Sequence, residues 1–183
     1  MHPIKHFETI TQHKKKVMEH CFRCGIPLQG LTHDLSKYSP AEFIPGALYY
    51  QGNRSPNERE RELFGASSAW MHHKGRNRHH FEYWTDVNPA TKKYEPVEMP
   101  LRFVKEMFCD RVAASKIYKG DAYTDSCALE YFLHSQARDN MHPKTARLLR
   151  RWLEMLANEG EEKTFAHIRK IRHVRYGETP GKE

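Results

Sequence analysis

The chain has 183 residues, enough for one well-cored domain and short for two. Charged residues make up 29% and hydrophobic residues 38%, with nine Phe, nine Tyr and three Trp, a composition that excludes a disordered chain. No apolar run reaches the roughly 18 residues of a membrane-spanning helix, and a formal charge of +7 favours anionic partners: nucleotides, nucleic acid or phosphorylated small molecules.

The start, Met1-His2-Pro3-Ile4-Lys5-His6, lacks the apolar core of a signal peptide, so the expected location is the cytoplasm, with no membrane partner. From Pro3 to Cys24 the spacing of His6, Ile10, His13, Val17, Cys21 and Cys24 predicts a helix, stopped by Gly25 and Pro27. His13 falls on its inward stripe, while Lys14, Lys15 and Lys16 are expected in solvent. Cys21 and Cys24 form a C-x-x-C, but no second pair follows at zinc-site spacing. These two, with Cys109 and Cys127, are read as free thiols, the first pair packing a helix.

The stretch Thr32-His33-Asp34-Leu35-Ser36-Lys37 places an imidazole and a carboxylate at one point of the backbone, a pairing suited to a divalent metal. On a helical turn the two side chains would diverge by roughly 100°, so other segments must complete any shell. Ser39-Pro40-Ala41-Glu42 reads as a capping box opening a helix from Pro40 to about Tyr50. Ser55-Pro56-Asn57-Glu58 repeats the signal for a helix from Pro56 towards His73.

Next come two histidine doublets, His72-His73 and His79-His80, joined by a basic connection containing Gly75, Arg76 and Arg78. Such density points to imidazoles presented to one cavity, and the two arginines suit phosphate. Asp86 to Met99 reads as a loop. A helix from Pro100 to about Lys119 carries Phe103, Met107, Asp110, Ala114 and Ile117 on one face, so something positive, an arginine or a metal, should meet Asp110. Helices are then expected from about Thr124 to Ala137, from Pro143 to about Asn158 and from about Glu161 to Arg175, the last with a basic outer side. No alternating strand emerges. The predicted fold is all-α, a single-domain helical bundle over 1–183, with a core of about 3–158 and a basic C-terminal helix of about 161–175.

In chain order, His13, the His33-Asp34 doublet, the histidine cluster and Asp110 resemble the signature of the HD-domain superfamily of metal-dependent phosphohydrolases. Lys37, three residues after the doublet, strengthens the likeness. More narrowly, the stretch from His33 to Phe43 and the segment from Trp70 to Trp84 resemble a small family of uncharacterised bacterial and phage proteins. The resemblance implies an HD-like helical fold, with His13, His33, Asp34 and Asp110 as metal ligands and Asp34 bridging if two ions bind. For a second ion, or as general acid, it offers His72 or His73 and His79 or His80. Lys37, Arg76 and Arg78 would contact substrate phosphate.

The implied activity is hydrolysis of a nucleotide or other small phosphoester by metal-activated water. One or two divalent ions are implied, with Mn, Co, Ni, Zn, Mg and Fe all open. Two alternatives stand beside it: a di-iron oxygenase of the same superfamily, and a basic helical module that binds nucleic acid around a structural metal.

Overall fold

The period of His6, Ile10, His13, Val17, His20 and Cys21 builds one buried stripe on the first helix, α1 (Pro3–Arg23), which opens on a proline at its first turn. A computed structural model describes residues 1–172. After α1 come α2 (Pro27–Thr32), α3 (Pro40–Leu48), α4 (Pro56–Phe64), α5 (Ser68–Lys74), α6 (Leu101–Lys119), α7 (Cys127–His134), α8 (Ala137–Asn140) and α9 (Pro143–Lys170). Helix α1 packs along α6, with α2 and α3 against α1 and with α7 and α9 closing the other side.

The centre of the bundle is a single apolar cluster. Val17, Cys21, Phe108, Val112, Leu149, Trp152, Leu153, Leu156 and Ile168 are each fully buried within it. Burying a side chain of the larger kinds contributes about 1.5–3 kcal/mol, so this cluster is what fixes α1, α6 and α9 relative to one another. Cys24 and Cys109 belong to it, their sulfurs 3.5 Å apart, as packing thiols. Among the described residues no helix is long and apolar enough to cross a membrane.

Several expected boundaries move. The helix expected from Pro56 to His73 is two helices, because Gly65 adopts a left-handed conformation (φ 76°) that ends α4. Ser67 then caps α5, its Oγ accepting from the Trp70 amide at 3.0 Å. The two expected capping boxes do not form. Ser39 Oγ donates to the Ser36 carbonyl at 2.6 Å, and neither Ser39 nor Ser55 makes a side-chain cap bond. Pro40 and Pro56 still begin the helices, because proline's fixed φ suits a first helical turn.

The loop expected over Asp86–Met99 contains a short antiparallel hairpin, Thr85–Val87 with Tyr94–Pro96, in which Asp86 pairs with Glu95. Largely exposed three-residue strands leave no alternation to read. The helix expected over 124–137 is interrupted at Ser135, separating α7 from α8. The two expected C-terminal helices join as α9 across a kink at Gly160 (φ 80°, ψ 173°). The expected end of the last helix at Arg175 lies outside the described residues. Lys163, Arg169, Lys170 and Arg172 are exposed, as the basic outer side requires.

Candidate metal centre

The His33-Asp34 pair does not lie on a helix. It follows α2 at a sharp turn, with His33 extended (φ −53°, ψ 128°) and Asp34 left-handed (φ 52°, ψ 29°), before a 3-10 turn over Leu35–Tyr38. A left-handed non-glycine residue is uncommon and Asp is among those that tolerate it. The turn replaces the expected divergence by convergence: His33 Nε2 and Asp34 Oδ2 lie 3.3 Å apart. Lys14, expected in solvent, secures the turn by donating from Nζ to the Leu31 and His33 carbonyls, both at 2.8 Å. Gly30 lets α2 seat on α1, since a Cβ there would stand 2.8 Å from Cys21 Cβ and 3.0 Å from Met18 Cα.

Around this turn the structure assembles two sets of metal-competent atoms that share Asp34. His13 from α1, His33, Asp34 and Asp110 from α6 form the first, with all donor atoms within 4.8 Å of one another. Asp34, His73 from α5, His79 and His80 form the second under the same limit. Asp110 Oδ1 meets His13 Nε2 at 2.9 Å and His33 Nε2 at 3.5 Å, so two imidazoles face this carboxylate, and burial holds His13 below the ordinary histidine range. Asp34 Oδ1 faces His73 Nε2 at 3.3 Å and His79 Nε2 at 3.5 Å. By position, His73 of the first doublet and both His79 and His80 of the second belong to the set. His72 lies outside it, its Nδ1 held by Glu42 Oε1 at 2.7 Å.

Two carboxylates not expected at the site orient these rings. Glu106, one turn before Asp110 on α6, places Oε1 3.0 Å from His33 Nδ1 and 3.2 Å from His79 Nδ1. Glu42, the residue assigned to a capping box, takes His73 Nδ1 at 2.7 Å. A ring that donates Nδ1–H to a carboxylate keeps its Nε2 lone pair free, the arrangement that favours metal ligation. The free ends are visible: His33 Nε2, His79 Nε2, His80 Nε2 and both Asp34 oxygens are buried without a hydrogen-bond partner. Buried imidazole nitrogens and carboxylate oxygens of this kind are costly unless a cation meets them, and the mixed nitrogen and oxygen donors suit a divalent first-row metal. The residues fit a metal site.

Charge organises the same atoms. Burial opposes ionisation of Asp34, but His33, Lys37, His73 and His79 outweigh it and hold the carboxyl well below the usual range. Burial likewise opposes ionisation of Glu106, yet its bonds to His33 and His79 pull it down to about 2. Burial lowers His80 far below an ordinary histidine, with His79 adding to the effect, so its ring is neutral and able to ligate. Lys37 Nζ lies 2.7 Å from Asp34 Oδ2 in a close charge pair rather than an aligned hydrogen bond. Desolvation works against the ammonium, but the Asp34 and Asp110 charges raise it above the ordinary lysine range.

A cavity of about 940 Å³ opens onto the cluster, bordered by His13, Lys37, His73, His80 and Asp110. Arg76 and Arg78 are not on its walls. Both are exposed, Arg76 bonded to the His72 carbonyl and Arg78 lying over the Tyr83 ring. The arginines that do border the cavity are Arg54, Arg61 and Arg111. Tyr50 and Trp70 are among the aromatic residues that wall the cavity, whereas Trp84 packs partly buried against the core. Glu106 was discoverable in principle as a second carboxylate one helical turn from Asp110. Arg111 and Glu42 gave no such signal.

No curated protein and no solved structure matches the chain. The model of a family of unknown function, DUF5662, matches residues 2–155, and the chain belongs to that family.

Proposed function

We propose that the protein is a metal-dependent phosphohydrolase of the HD type, acting on a nucleotide or other small phosphoester. The observation that carries this reading is the sharing of Asp34 between two donor sets, in which both Asp34 oxygens and the Nε2 atoms of His33, His79 and His80 are buried without a hydrogen-bond partner. In this reading His13, His33, Asp34 and Asp110 hold one divalent ion, and Asp34, His73, His79 and His80 hold a second. A divalent cation supplies a Lewis acid that acidifies water and polarises a phosphoryl oxygen.

The chain's own residues do the rest. Lys37 is partly exposed on the cavity wall, where its ammonium pairs with a phosphate oxygen and offsets the charge that grows during attack. Glu106 and Glu42 keep the imidazoles at fixed orientation, so the donor geometry is set before substrate arrives. Arg76 and Arg78 do not border the cavity, so of the three basic residues expected at the phosphate only Lys37 keeps that role.

The test is metal analysis of protein purified without added metal or chelator, followed by turnover on a panel of nucleotides and sugar phosphates. One or two manganese, cobalt, nickel, zinc or magnesium ions per chain, with hydrolysis abolished in a folded Asp34→Ala variant, is the expected result. Unchanged hydrolysis in that variant overturns it. The imidazole-rich second set is also compatible with iron, which favours the oxygenase reading. About two irons per chain with oxygen uptake and no hydrolysis would put that reading in its place.

A further inference from the structure

Arg111 follows Asp110 on α6, and Glu82 lies in the 3-10 turn Phe81–Tyr83 just after His80. Both border the cavity that opens onto the donor cluster. Arg111 Nε and Glu82 Oε2 are each buried without a hydrogen-bond partner, and each residue lies within the other's electrostatic reach. The guanidinium rests over the Phe132 ring, 5.8 Å from its centroid, which holds it at the wall. A buried donor and a buried acceptor left unpaired on the same wall are costly, and native structures keep few of them.

The chemistry of the pair narrows what meets it. A phosphate oxygen would satisfy Arg111 but be repelled by the Glu82 carboxylate. An ammonium would satisfy Glu82 and be repelled by Arg111. A hydroxyl does both, because its O–H donates to Glu82 while its lone pair accepts from the Arg111 Nε–H. The cavity volume of about 940 Å³ leaves room for a hydroxylated group beyond the phosphate.

We infer that Glu82 and Arg111 form a hydroxyl-recognition subsite, so that the substrate is the phosphoester of a sugar or other polyol. The inference rests on reading the adjoining donors as a phosphoester-processing metal centre. It makes Glu82 and Arg111 specificity-determining residues that touch substrate away from the reacting phosphorus.

The experiment titrates the Mn²⁺-loaded full chain with ribose 5-phosphate and with pentyl phosphate, which carries the same phosphate on a chain of similar length without hydroxyls. Ribose 5-phosphate is expected to bind about tenfold or more tightly, the size of a hydrogen bond to a charged group. Glu82→Leu and Arg111→Leu are each expected to bring ribose 5-phosphate close to pentyl phosphate while pentyl phosphate binding stays unchanged. Equal binding of the two by the unaltered protein, binding of neither, or a parallel loss of both ligands in the variants overturns the subsite. Preferential binding of ribose 5-phosphate with no hydrolysis of any phosphoester keeps the subsite and removes the hydrolase reading. Hydrolysis of both esters with equal kcat/KM does the reverse. The comparison of two ligands on the unaltered chain does not depend on either variant folding.

Discussion

Glu106 Oε1 stands 3.0 Å from His33 Nδ1, which ties the orientation of the His33 ring to a helix remote from it in sequence. The same oxygen reaches His79 Nδ1 at 3.2 Å, so one carboxylate orients a ring in each donor set. Glu106→Gln keeps the size of the side chain but removes its charge. It is expected to lower divalent metal affinity by about 10–100-fold, the effect usual for losing such a partner. Competition titration with a metal indicator reads this directly. Affinity within twofold of the unaltered chain would show that Glu106 is not what positions the rings.

Asp34→Asn separates the two tasks of Asp34. Asparagine also tolerates the left-handed backbone at φ 52°, so the turn is preserved. It cannot supply an anionic oxygen to each donor set. The expected outcome is a melting temperature close to that of the unaltered chain when both are metal-free, with metal binding lost from both sets rather than from one. Retention of one ion per chain would mean that Asp34 serves a single set and does not bridge.

How far the site was legible depended on whether a residue carried its signal in its own sequence neighbourhood. Asp110 did, because a carboxylate in an apolar helical stripe needs a cation. His73 and His79 announced themselves only as members of doublets. Which of His72 and His73 turns towards Asp34 depends on where Gly65 ends α4 and Ser67 starts α5, which the doublet itself does not show. Glu42 was misassigned because the same Ser-Pro-Ala-Glu pattern serves a capping box or a free carboxylate, and the histidines won it. Lys14 looked like one of three solvent lysines until the turn beside it offered two carbonyls. The bundle itself was readable from prolines, glycines and period, and the hairpin was not, since its pairing is set by the chain returning on itself.

Gly30→Ala tests whether close seating of α2 on α1 matters for the His33-Asp34 turn. The added Cβ would meet the Cys21 Cβ at 2.8 Å and the Met18 backbone at 3.0 Å, and backbone does not yield as a flexible side chain does. A loss of about 1–3 kcal/mol in denaturant unfolding is expected, as for other overpacked sites. Because α2 leads directly into the turn, metal affinity should fall as well. A variant as stable as the unaltered chain would show that the two helices are not tightly apposed.

His20 provides a pH dependence that is separate from the donor cluster. It is fully buried, its Nδ1 3.2 Å from the Cys109 carbonyl and its ring packed on Phe165, and burial lowers it from 6.5 to about 4. A depressed histidine favours the neutral form in the folded chain, so its contribution is present above pH 6.5. It is lost progressively as pH falls from 6.5 to about 4, because the unfolded chain takes up the proton first. At 1.36 kcal/mol per unit the whole effect is about 3 kcal/mol. Replacing His20 with Gln removes the titrating group, so the difference in unfolding free energy between the two chains should shrink by roughly this amount between pH 7 and pH 4. Urea unfolding at both pH values measures it, and a difference that does not change with pH would assign the chain's acid sensitivity to other groups.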